Sequence, residues 1–178
     1  MEIDRTDGGM RVTMEEVEVA ILQDLAGQLL SLTAPEASAI DSDPLAQMVG
    51  IDPHATKPTD PVLSRLYPDA YPDDPDASLE FRRFTERSLR DASAERANRI
   101  IQIISENSEL ELMDDQWRDL VGFLNDLRLA LGTRLEITES FEAQEFDHAD
   151  PRAALLDLYG WLTWMQETLI EKGFLHED

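Results

Sequence analysis

The residues of this sequence whose types and spacing could do chemistry are charged groups set inside apolar runs. Between Leu124 and Leu135 the chain places Asp126, Arg128 and Arg134 among Leu124, Leu127, Leu129, Leu131 and Leu135. A charge in such surroundings is rarely left without a partner. On a helix turning about 100° per residue, Leu120, Leu124, Leu127, Leu131 and Leu135 share one broad stripe with Arg128 at its edge. The pattern predicts a structural ion pair among Asp126, Arg128 and Arg134, in which guanidinium donors are answered by carboxylates and helix-terminal carbonyls. Anion or ligand binding is the competing use of the same arginines.

A second concentration of charge follows from counting. Six of the 15 basic residues, all arginine, lie between Arg82 and Arg99. Arg82, Arg83, Arg87 and Arg90 can form a solvated helix face balanced by Glu80, Glu86 and Asp91 through i,i+4 pairs. The functional alternative is a docking strip for a protein partner or for DNA phosphates. Near the C-terminus, Trp161, Trp164 and Met165 sit on a helix that is apolar on most sides. Core packing is the simplest reading, and a self-association surface, hence a homodimer, is the next one.

Catalytic and metal chemistry leave no signature. His54, His148 and His176 fall in a proline-rich loop, an acidic loop and the C-terminal tail; the single Glu-x-x-His spacing, Glu145 to His148, lies in the acidic loop, whereas a di-iron bundle needs two such pairs projecting from helices. Asp69, Asp73, Asp74 and Asp76 lack the Asp-x-Asp-x-Asp-Gly order of a calcium loop and read as a capped turn. There is no Gly-x-Ser-x-Gly elbow and no phosphate-binding glycine loop. The chain has no cysteine, which removes disulfides, thiolate metal sites and thiol redox sensing together. The expectation is a protein without cofactor or metal that is not an enzyme; an enzyme using a carboxylate-lined pocket and a structural homo-oligomer are the alternatives.

With 38 acidic residues against 15 basic ones, the formal charge is −23. Such a field repels nucleic acid and anionic membranes, so direct DNA binding is not expected. No segment approaches the roughly 20 apolar residues needed to span a bilayer, and the N-terminus lacks the pattern of a signal peptide. A cytoplasmic protein is expected.

The elements that must position these residues read as helices. The 178 residues, 42% of them apolar, suffice for one domain with a real core. Residues 1–11 read as a flexible tail, 12–173 as a single helical domain and 174–178 as a C-terminal tail. Thr13 to Glu16 resembles a capping box, after which Met14, Val17, Ile21, Leu22, Leu25, Leu29 and Leu32 recur at helical spacing. From about Ala34 to Pro75 the chain holds eight of its nine prolines, so only short helices fit there, capped at Asp43-Pro44 and Asp60-Pro61. Gly50 to Thr59 reads as a mobile loop. Asp76 to Asn107 is helical, but its apolar face rotates between Phe81, Phe84, Ala92 and Ala97, Ile100, Ile101, Ile104, which predicts a break near Asp91 to Ser93. Asp114 and Gly132 bound the next helix, Glu136 to Asp150 is an acidic loop, and Asp150-Pro151 opens the last helix, which stops at Gly173. Apart from Met10 to Thr13, no run of four or more residues alternates at period two with Val, Ile or Thr enriched. The class expected is an all-α, single-domain helical bundle of five to seven helices with a Pro/Asp-rich connecting segment.

Arg65 to Pro75, with its Tyr67-Pro68-Asp69-Ala70-Tyr71-Pro72-Asp73 core, followed by Glu80 to Thr85, resembles the signature of an actinobacterial family catalogued as a domain of unknown function. The Leu124 to Leu135 run and Tyr159-Gly160-Trp161-Leu162 match the rest of that family's pattern, so the resemblance extends from about Val12 to Lys172. It implies an all-helical protein, often encoded beside the adaptor of the Clp protease. One branch of the family is an oxidative-stress regulator working through a thiol switch and a sigma factor. A chain without cysteine cannot carry that switch. What the resemblance leaves is a regulatory protein, stress-linked, that acts through a protein partner.

Overall fold

The computed structural model describes residues 1–34, 51–52, 55–106, 109–138 and 151–174. Among these are three strands, β1 (Glu2–Thr6), β2 (Gly9–Thr13) and β3 (Glu109–Met113), and five helices, α1 (Glu16–Thr33), α2 (Pro61–Leu66), α3 (Pro75–Glu106), α4 (Asp114–Arg134) and α5 (Ala153–Phe174). The all-α expectation is therefore corrected: the protein is mostly helical, with a small antiparallel sheet in the order β1-β2-β3. The N-terminal residues expected to be a flexible tail form the first hairpin of that sheet.

The sheet forms because its strands alternate. Ile3 pairs with Val12, Met10 with Leu112 and Val12 with Leu110, and all five side chains are buried on one face. On the other face Arg11 stands opposite Glu111 and donates to it at 2.7 Å, a favourable cross-strand charge pair. Gly9 is obligatory, because a Cβ there would lie 1.9 Å from the backbone oxygen of Leu112.

The helix starts differ from the sequence reading by a few residues. Thr13 belongs to β2, and α1 is capped at Glu15, whose N–H donates to the Glu18 carboxylate at 2.8 Å. At α2, Asp60 accepts from the N–H groups of Val62 and Leu63, as its place before Pro61 predicts. Met113, not Asp114, is the cap of α4. That helix runs past Gly132 to Arg134 and is closed by a bond from Ile137 N–H to the Gly132 carbonyl across Glu136, whose φ is +57°. Gly132 instead admits the Tyr159 ring, whose Cε2 would lie 3.2 Å from an added Cβ. The cap expected at Asp43 and the acids from Glu139 to Asp150 lie outside the described residues.

α4 is the centre of the molecule, burying Trp117, Leu120, Phe123, Leu124, Leu127 and Leu131. It contacts the sheet, α2, α3 and α5, and Leu162, Met165 and Leu169 of α5 join its core. The predicted break in α3 does not occur; 32 residues run as one helix. Its apolar face rotates because its two halves meet different things. Ala97, Ile100 and Ile104 enter the core, whereas in the first half the buried residues are the polar Ser78 and Arg82, and Phe81 and Phe84 are exposed.

Candidate partner-binding surfaces

The first half of α3 is built around Arg82, only 5% exposed. Its guanidinium donates to the Tyr67 carbonyl at 3.0 Å, to Asp69 at 2.9 Å and to Glu86. Glu86 also accepts from Arg90, which stacks 5.0 Å from the Tyr67 ring centre. Asp69 holds Lys57 as well. The hydrogen bonds from Lys57 and Arg82 keep its carboxyl below the usual carboxylate range. Burial opposes the charge on Arg82, but the Glu86 and Asp69 hydrogen bonds outweigh it and raise its pKa. Arg82 is thus part of the fold rather than of an exposed strip, and Arg90 is half-buried beside it; both placements correct the sequence reading.

Exposed there are aromatic and cationic side chains, alongside the acids Asp76, Glu80 and Asp91. Phe81 and Phe84 are 44% and 55% exposed, and Tyr71 meets Phe81 edge-on with ring centres 6.0 Å apart. The buried Ser78 hydroxyl fixes the Tyr71 loop, donating to its carbonyl at 2.7 Å and accepting from its N–H at 2.9 Å. Arg83 and Arg87 are exposed on the same helix. Arg87 lies 4.0 Å from Asp91, and Arg83 has no acidic partner among the described residues. The Arg83 carbonyl accepts from Asp52 N–H at 2.8 Å, so the described part of the loop expected to be mobile is tied to α3.

Farther along α3 the charges couple helices. Asp126 of α4 accepts from Ser93 at 2.8 Å and Arg96 at 2.9 Å, and Arg99 donates to Asp119 at 2.8 Å. Burial raises the Asp126 pKa against the pull of Ser93 and Arg96. The Tyr67 pKa is raised by burial too, and its hydroxyl makes no hydrogen bond among the described residues.

The expected ion pair of Asp126, Arg128 and Arg134 is not what the structure brings together. Arg128 donates to Thr163 at 2.9 Å and to Gln166 and lies 5.5 Å from the Tyr159 ring centre. It joins α4 to α5 through neutral acceptors. Arg134 is exposed and has no carboxylate partner among the described residues. The self-association set also divides: Met165 is in the core, Trp161 packs partly against it, and Trp164 is 45% exposed.

A feature that the sequence reading missed lies between α1 and the α4–α5 pair, an open groove of about 480 Å³. Leu127, Ala130 and Leu131 of α4 line it, with Val17, Ile21, Leu25 and Leu32 of α1 and Leu155 and Leu158 of α5. Its polar lining is Asp24, Gln28 and Arg134. Val17, Ile21, Leu25 and Leu32 belong to the apolar stripe that marked α1 in the sequence, and beside it stands an opening. Among the described residues no group of three or more His, Asp or Glu is placed to hold a metal, and no helix is long and apolar enough to cross a membrane. The three histidines lie outside the described residues.

Residues 1–172 match the family described as Domain of unknown function (DUF2017). A protein of Mycobacterium bovis named oxidative stress regulator AosR is 36% identical over 176 aligned positions, covering 90% of this chain and 80% of the relative. The Mycobacterium tuberculosis protein of the same name matches equally. A putative oxidative stress regulator AosR of Mycobacterium leprae is 35% identical over 168 positions, covering 86% and 77%. No solved structure matches. The chain belongs to the DUF2017 family.

Proposed function

We propose that this member of the DUF2017 family is a non-enzymatic, stress-linked regulator that acts in the cytoplasm by holding an acidic protein partner on the outer face of α3. The observation that carries the reading is the exposed set of Phe81, Phe84, Arg83 and Arg87 above the buried Arg82 cluster. Aromatic and arginine side chains on a rigid support are the usual anchors of protein interfaces. The names of the mycobacterial relatives support regulation and the link to oxidative stress. An acid partner can use the two arginines over a short range, where the distant negative charge is screened beyond about 8 Å at physiological salt. DNA would have to overcome the −23 background along its whole contact. The part-buried carboxylates Glu86 and Asp126 are engaged by arginines, which favours binding over acid–base catalysis. A homodimer rests on Trp164 alone, since Met165 is enclosed.

The test is complementation in a host lacking the gene. The double variant Arg83→Glu, Arg87→Glu and the single variant Phe84→Ala should fold normally and fail to restore the transcript response to peroxide, while Arg65→Glu restores it. Full complementation by the double variant would sink the proposed surface. Sub-micromolar, sequence-dependent DNA binding in an anisotropy titration at physiological salt would replace the protein partner with DNA.

A further inference from the structure

The α1–α4–α5 groove carries a second inference, independent of the α3 face. We propose that it receives an amphipathic helix from a different protein, with an apolar stripe on its floor, a carboxylate meeting Arg134 and a cation meeting Asp24. The shape argues for a helix. Floor and walls are all helical, so their backbone groups are consumed internally and offer no strand edge to an extended peptide. α1 lines the groove from Val17 to Leu32, a length of about 22 Å at 1.5 Å per residue, or about four turns of a guest helix. Val17 and Leu155 are 58% and 43% exposed on the lining, apolar surface that an incoming leucine stripe would remove from water.

Charge sets the chemistry of the guest. In a chain with 38 acids and 15 bases, Arg134 nevertheless has no carboxylate partner among the described residues. Asp24 is held on the other wall by the Gln28 amide at 2.8 Å. The groove therefore offers one cation and one anion, and a guest that answers both is selected over one that answers neither. A second copy of this chain is disfavoured as occupant, because each copy brings a formal charge of −23.

The probe is a synthetic 16-residue helical peptide with leucines at helical spacing and one glutamate and one lysine flanking them, titrated by fluorescence anisotropy against the whole protein. The expected result is micromolar binding, weakened about tenfold or more by Ala20→Trp or Ala130→Trp, each of which fills the groove. Ala20 is exposed, so its variant should fold even if Ala130→Trp does not. Arg134→Gln should weaken the parent peptide several-fold but leave a peptide with glutamine in place of glutamate unchanged; Asp24→Asn should behave likewise toward the lysine. Arg83→Glu, Arg87→Glu should have no effect, which separates this site from the α3 surface. Absence of binding, binding indifferent to Ala20→Trp, or no coupling to either charge overturns the proposal. So does a concentration-dependent dimer that Ala20→Trp dissociates, which would make a second copy the occupant.

Discussion

Two arginines, Arg82 in the first half of α3 and Arg128 in the α4–α5 seam, are taken into the fold and answered in opposite ways. Around Arg82 are two carboxylates, Asp69 and Glu86, and the Tyr67 carbonyl. Around Arg128 are a hydroxyl, an amide oxygen and an aromatic ring. The Thr163 hydroxyl also donates to the Tyr159 carbonyl, and the Gln166 amide to the Val121 carbonyl, so both keep a partner if Arg128 is lost. Asp69 and Glu86 have Lys57 and Arg90 to fall back on, yet without Arg82 two negative charges face each other across the cluster. At α3 a charge closes the structure, whereas at α4–α5 it trims a seam already held by Leu127, Leu131, Leu162 and Met165.

The sharpest way to break this comparison is to remove each guanidinium in turn. Arg82→Met should cost about 2–3 kcal/mol in urea unfolding, below the full penalty of a buried broken pair because its acids lie near water. A loss under about 1 kcal/mol would erase the contrast. Asp69→Asn probes the same cluster through pH. The folded carboxyl titrates below its unfolded value of about 3.9, so its contribution is present above that value and lost as pH falls through the folded one. The variant should be less stable than the wild type at neutral pH, with the two curves converging in acid; a constant offset would show that the charge is immaterial. Arg128→Met should cost about 1–2 kcal/mol, since Met fills the volume and Thr163 and Gln166 keep the bonds they themselves donate, while the Gln166 side-chain oxygen is left without a donor.

How much of this was legible in the sequence follows the length of each periodic signal. The leucine stripe from Leu120 to Leu135 recurs over about four turns and marked a helix, and in the structure α5, with Trp161, packs on it. Asp60-Pro61 marked α2 to the residue, because cap and first-turn proline are local chemistry. β1 and β3 were lost because each is five residues long, too short for alternation to outweigh polar composition, and the alternation of Met10 to Thr13 in β2 was too brief to predict a sheet. Glu109 to Met113 does alternate, and that was the available signal. Arg82 was misplaced on an exposed strip because its i,i+4 partner Glu86 is equally consistent with a solvated face. Its burial is decided by Asp69, 13 residues away in a proline-rich loop. The groove had no signal of its own, since an apolar residue lining an opening has the same spacing as one in a core.

The smallest effect expected is at Asp126, and it tests whether charge or burial governs the middle of α3. Its carboxylate accepts from Ser93 and Arg96, an arrangement that alone would favour ionisation. Burial outweighs both and raises its pKa. A carboxyl raised in the folded state binds more protons there than in the unfolded chain. Its contribution is therefore fully present below the unfolded value of about 3.9 and is lost as pH rises through the folded value, the reverse of Asp69. Asp126→Asn abolishes that titration while keeping an oxygen that can accept from Ser93 and Arg96. At neutral pH the lost charge-assisted bond and the relieved desolvation oppose each other, so the net change should stay within about 1 kcal/mol. Across the window above pH ~4, the stability of the variant relative to the wild type should rise with pH. A relative stability that falls with pH would mean that Arg96 governs Asp126, making this site a second instance of the Arg82 arrangement rather than its counterpart.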